Sequence, residues 1–166
     1  MPRKEVIERT LYQYDELSDS AKQFAREWRE RCMSDDEWWE STYEDAEEVG
    51  IKITSFYIDH GTIEGKFCNG NTARETAANI LNNHGNTCET YKTAETFLKA
   101  LREKDEYIHS KIGYGSEDLM YEFLDDILED YRIMLQREYD YIHSTEQIEE
   151  FLRDNDYEFL ENGHIV

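Results

Sequence analysis

Apolar side chains recur along this chain mostly at intervals of three and four residues, the mark of amphipathic helices, with a shorter stretch that alternates one by one. Ser18 precedes Ala21, Phe24, Ala25 and Trp28 at helical spacing with Asp19 in the first turn, which predicts an N-cap and a helix ending near Cys32. Ser34 predicts the cap of a second helix in which Trp39, Tyr43, Ala46 and Val49 share a face. Gly50 then stands where a left-handed C-terminal residue belongs. Asn71 or Thr72 predicts the start of a short helix carrying Ala77, Ile80 and Leu81, stopped by the cluster from Asn82 to Gly85. Thr93 predicts the cap of another, with Phe97, Leu98 and Leu101. Gly113-Tyr114-Gly115 breaks the chain before the longest element, expected from Ser116 to about His143. Its stripe is Met120, Phe123, Leu124, Ile127, Tyr131, Met134 and Leu135. Ser144 predicts the cap of a last helix through Ile148, Phe151 and Leu152.

Strand signals are fewer. Lys4 to Tyr14, with Val6, Ile7, Thr10, Leu11, Tyr12 and Tyr14, has the β-branched and aromatic enrichment of a strand. IKITSFYID and TIEGKFCNG flank His60-Gly61 and predict a hairpin. In the tail YEFLENGHIV, Asn162-Gly163 suits a type I′ turn and a small terminal hairpin. The expected fold is α+β: a few short antiparallel strands packed against about five helices, the long helix of the C-terminal half as spine. No repeat, linker or low-complexity segment divides the chain, so residues 1–166 are expected to form a single domain.

Charge changes the picture more than composition does. Against 18 basic residues stand 39 acidic ones, a formal net charge of −21, which disfavours nucleic acid as a direct ligand and favours cationic partners. Disorder is argued against by three Trp, twelve Tyr and seven Phe at structured spacings. The opening MPRKEVIERT lacks the apolar core of a secretory signal and no run is long enough to span a bilayer, so the expectation is a cytoplasmic protein without membrane attachment. Cys32, Cys68 and Cys88 are odd in number and share no CxxC spacing, which speaks against a disulfide framework or zinc ribbon. His84 and Cys88, with His60 and Cys68, have poor metal-ligand spacing, and no metal or cofactor is expected. GxSxG, HExxH and phosphate-loop patterns are missing, and a non-enzymatic role is expected.

The candidate site is the arrangement of the acids. Asp36, Glu37, Glu40, Glu44, Glu47 and Glu48 recur at three- and four-residue intervals on the second helix, opposite Trp39 and Tyr43. Asp118, Glu122, Asp125, Asp126, Glu129 and Asp130 do the same on the long helix, with few Lys or Arg within a turn. Carboxylates one helical turn apart, about 5.4 Å, come close to the phosphate spacing of a nucleic-acid strand. Such rows either keep a protein soluble as solvated surface or occupy a channel that normally neutralises phosphates. Trp38 is the aromatic candidate beside the first row, either covering a neighbouring element or standing exposed as an anchor.

YQYDELSDSAKQFAREW, DDEWWESTYEDAEEVGIKI and REYDYIHSTEQIEEFLRDNDYEFLENG resemble a family of small phage and prophage proteins. That family shares a Tyr-x-x-x-Glu-Leu-Ser-x-x-Ala-Lys opening, a Trp-Trp-x-x-x-Tyr-Glu-Asp-Ala helix before a Gly-Ile strand, and an Asn-x-Tyr-Glu-Phe hairpin, and its members are often labelled antitoxin-like. The likeness covers roughly the first 60 residues and the last 30; from about Gly61 to Asp130 this chain is unlike the family pattern. It implies a mobile-element origin. Charge and resemblance together give the expectation of a counter-defence inhibitor, of anti-CRISPR or anti-restriction type. Such an inhibitor acts as an acidic nucleic-acid mimic on a basic surface of a host nucleoprotein complex, as a monomer or small homo-oligomer. The alternatives are an antitoxin that neutralises a toxin by direct binding and a small metal-dependent hydrolase.

Overall fold

The computed structural model describes residues 1–34, 36–110 and 116–166, with side chains for all of these except 106–110 and 116. Gly113-Tyr114-Gly115 lies outside the described residues. The fold is α+β, with six α-helices and one two-stranded antiparallel sheet among the described residues. In order these are α1 (Asp19–Met33), α2 (Glu40–Val49), β1 (Ile51–Tyr57), β2 (Thr62–Phe67), α3 (Ala73–Asn83), α4 (Glu89–Ser110), α5 (Ser116–Ile142) and α6 (Thr145–Asp154). Their contacts gather into two compact units, a discontinuous one made of Met1–Glu37 and Glu138–Val166 and a continuous one, Trp38–Arg137.

In the discontinuous unit, α1 begins as its sequence predicts, with the Ser18 hydroxyl accepting from the Ala21 N–H. The apolar faces of α1 and α6 enclose Tyr14, Leu17, Ala21, Ala25, Met33, Ile148, Leu152 and Phe159. α6 is capped by Ser144, whose side chain accepts from Gln147 N–H. Arg26 binds both Glu149, at 3.0 Å, and the Tyr14 hydroxyl, at 3.1 Å, while Arg153 binds Asp15 at 2.8 Å and Glu149 at 3.2 Å. Arg29 stacks on the Phe151 ring, 3.8 Å from its centroid.

Two local expectations fail in this unit. Lys4 to Tyr14 is not a strand: Val6 and Ile7 are 87% and 65% exposed, and only Tyr12 finds a partner, exchanging two 2.9 Å backbone hydrogen bonds with Phe159. β-propensity without a neighbouring ladder leaves the backbone hydrated instead. The tail does fold back, pairing Phe159 with Ile165, but Gly163 takes φ +85° while Asn162 does not have positive φ, so the reversal is not type I′. A Cβ on Gly163 would collide with the Ala21 carbonyl.

The continuous unit is built around Val49, Ile51, Ile53, Ala77, Ile80, Phe97, Leu101, Phe123, Ile127, Leu128 and Tyr131, all buried. The hairpin runs in the register Ile51↔Phe67, Ile53↔Gly65 and Phe56↔Ile63, with an irregularity between Ile53 and Ser55 that gives β1 one extra residue. Gly65 lets α5 lie against the strand, since a Cβ there would stand 2.7 Å from Leu128 Cδ2. Gly50 ends α2 at φ +103°, as expected. Thr72 caps α3 in a reciprocal box with Glu75.

Helix starts are the other corrections. Ser34 closes α1, its hydroxyl donating to the Arg31 carbonyl, and α2 begins only at Glu40. Thr93 lies inside α4, which starts at Glu89.

Candidate functional site

Each acidic row is set by the helix that buries its opposite face. On α2, Ala46 and Val49 are fully buried while Glu40, Glu44, Glu47 and Glu48 are exposed. Asp36 and Glu37, expected on the same helix, precede it and belong to the other unit, so the α2 row is shorter than the sequence suggests. On α5, Phe123, Ile127, Leu128 and Tyr131 are buried, and Asp118, Glu122, Asp125 and Asp126 face solvent. Glu37 and these eight carboxylates of α2 and α5 form no ion pair with the described residues.

Three of the expected acids are engaged. Asp36 pairs with Arg29 at 3.1 Å. Glu129 takes a two-pronged bond from Arg132, at 2.7 and 2.6 Å, and this guanidinium holds its carboxyl below the usual range. Asp130 is half-buried and accepts the Thr93 hydroxyl at 2.6 Å. Burial pushes the Asp130 carboxyl upward, Thr93 opposes this, and the like charges of Glu89, Asp126 and Glu129 add to it.

Asp45 departs from its neighbours on α2 and joins a cluster that sequence reasoning missed. The buried Tyr131 of α5 donates its hydroxyl to Asp45 Oδ2 at 2.9 Å, and His84 Nε2 lies 3.3 Å from Asp45 Oδ1. The other ring nitrogen of His84 is 2.7 Å from the hydroxyl of Thr90, itself 2% exposed. The Nε2 approach is oblique, short of a well-formed hydrogen bond, and the Asp45 carboxylate is the neighbour that this buried atom faces. The nearby imidazole nevertheless holds the Asp45 carboxyl below its ordinary range against the opposing effect of burial, and Tyr131 reinforces it. One signal for Asp45 was present: it stands four residues before the buried Val49, on the flank of the apolar face. Nothing local announces His84 and Thr90, which reach Asp45 only through the tertiary fold.

Trp38 is half-buried and meets Trp39 and Phe56 edge-on, each at 5.7 Å between ring centroids, with Tyr43 also against Phe56. It is one member of an aromatic cluster over the hairpin. No group of three or more His, Cys, Asp or Glu is gathered for a metal ion among the described residues. No helix among them is long and apolar enough to cross a membrane. Comparison with protein-family models, curated proteins and solved structures finds no match.

Proposed function

We propose that this protein acts by binding a basic, nucleic-acid-handling surface of another protein, where its acidic helix faces take the place of phosphates. The observation that carries this reading is the row Asp118, Glu122, Asp125 and Asp126, exposed, without ion pairs among the described residues, and fixed by a helix whose other side is core. Like charges at these intervals cost a few tenths of a kcal/mol per pair, which the burial of Phe123 and Ile127 outweighs at about 1.5 kcal/mol or more each. A rigid row loses little side-chain and backbone freedom on docking, so more of the ionic attraction appears as affinity. The resemblance of the chain ends to phage and prophage proteins supports a host defence complex as the partner.

The test is capture of a partner from a bacterial lysate followed by competition. The partner is expected to be released by added DNA or RNA, and its retention to fall steeply in the triple variant Glu122→Lys, Asp125→Lys, Asp126→Lys with the fold intact by circular dichroism. Binding should also weaken between about 0.1 and 0.5 M salt, because the screening length shrinks from about 10 Å to less than half that. A partner that holds nucleic acid and this protein together, or that binds the triple variant unchanged, defeats the reading.

A further inference from the structure

Residues 3–11 of the discontinuous unit have the composition of a strand but lack a ladder. All of them are exposed, the apolar Val6, Ile7 and Leu11 included, and none makes a backbone hydrogen bond to the described residues. Their charges, Arg3, Lys4, Glu5, Glu8 and Arg9, form no ion pair among the described residues either. The residue that follows fixes the phase of any strand grown from here. Tyr12 turns both its N–H and its carbonyl to Phe159, each at 2.9 Å. In an extended chain successive residues present these groups to opposite edges, so Leu11, Arg9, Ile7, Glu5 and Arg3 offer theirs on the side away from Phe159. An open edge with β-branched apolar residues is a template for another strand.

We propose that residues 3–11 pair antiparallel with the same segment of a second copy, about a two-fold axis through Ile7. Pairing across the open edge must match odd-numbered residues with odd-numbered ones, and charge selects among the registers that do so. An axis at Val6 sets Arg3 against Arg9, and axes at Lys4, Glu5, Glu8 or Arg9 set that residue against itself, so like charges oppose each other in all of these. At Ile7 no like charges meet. Glu5 of each copy then faces Arg9 of the other, and Ile7 lies against Ile7 at the centre. A two-stranded ladder alone is marginal in water; the bridges Tyr12↔Phe159 and Phe159↔Ile165 back this one on both flanks, giving a weak dimer. The two-fold axis closes the contact at two copies. It uses no residue of the acidic rows and stands independently of the function proposed above.

Sedimentation equilibrium of the full chain measures the association, in about 0.15 M salt, where repulsion between two chains of net charge −21 is screened beyond roughly 8 Å. The wild type is expected to pass from monomer to dimer, and no further, as its concentration rises into the millimolar range. Glu5→Arg opposes arginines at both charge pairs of the dimer, and Arg9→Glu opposes glutamates there. Each is expected to weaken association about tenfold. Both residues are exposed and outside the core, so the variants should fold, which their melting temperatures check. An equimolar mixture of the two single variants restores every pair of opposite charges, and so does the double variant Glu5→Arg, Arg9→Glu, which keeps the net charge of the segment. Both are expected to dimerise as the wild type does. A wild type that stays monomeric throughout, or dimers indifferent to the single variants, overturn the proposal. So does a loss in the single variants that the mixture or the double variant fails to recover, because the segment then docks somewhere other than on its own copy in this register.

Discussion

At the scale of single residues, Asp45 and Asp130 are two carboxylates of one unit displaced in opposite directions, and their effects on stability should oppose each other. A carboxyl depressed in the fold contributes stability above its unfolded pKa, near 3.9, and loses it as pH falls through the lower folded value. Asp45 is of this kind. A carboxyl raised in the fold does the reverse: its ionisation costs stability above the folded pKa and the cost vanishes at acid pH. Asp130 is of this kind. Asp45→Asn should therefore lower the melting temperature at pH 7 and flatten the acid limb of the stability curve. Asp130→Asn should raise the melting temperature at pH 7, with the difference disappearing by about pH 3. Melting scans from pH 3 to 8 check both signs, and a fall in both variants at neutral pH would mean that the hydrogen bonds of Tyr131 and Thr93 outweigh the charges. Only half of this was legible in the sequence. The solvent side of α5 follows from its stripe, but the half-burial of Asp130 and its bond from Thr93, a residue that local rules assign to a cap, come only with the tertiary fold.

At the scale of elements, what the chain announces and what it conceals divide by range. Ser18, Thr72, Ser144 and Gly50 act within four residues of themselves, and all four do what their local patterns predict. Ser34, Thr93 and the segment from Lys4 fail because a competing partner or a missing one decides: a carbonyl at Arg31, a carboxylate at Asp130, and the lack of any neighbouring strand beyond Tyr12. The α2–β1 junction shows how strongly a local rule is enforced when packing agrees with it. Gly50 lies at φ +103°, and a Cβ there would strike Asn71 Nδ2 and stand 2.9 Å from Thr76 Oγ1. Gly50→Ala should cost more than about 1 kcal/mol, against roughly 1 kcal/mol for removing the Thr72 cap with Thr72→Ala. Urea unfolding of the two variants gives the comparison, and a smaller loss at Gly50 would show that Asn71 swings aside freely.

At the scale of the whole molecule, the acidic excess is not distributed as an even coat. In the discontinuous unit, Arg26, Arg29 and Arg153 bind Glu149, Asp36 and Asp15. In the continuous unit, Arg74, Lys92 and Arg132 pair with Asp105, Glu89 and Glu129, while Glu40, Glu44, Glu47 and Glu48 of α2 and Asp118, Glu122, Asp125 and Asp126 of α5 are left to solvent. A fragment from Trp38 to Ile142 contains the core of the continuous unit and all of α5, and it should melt cooperatively with the α2 and α5 rows still competent to bind. A gradual, non-cooperative melt would show that this core depends on the rest of the chain.

The interrupted unit has a consequence for how the protein is made. On the ribosome, every residue of the Trp38–Arg137 unit is synthesised before Ile148, Leu152 and Phe159 exist to cover Tyr14, Leu17 and Ala21. The nascent chain therefore carries Tyr14, Leu17 and the apolar face of α1 without shelter while the continuous unit is being made, and that stretch is where a holdase chaperone would take hold.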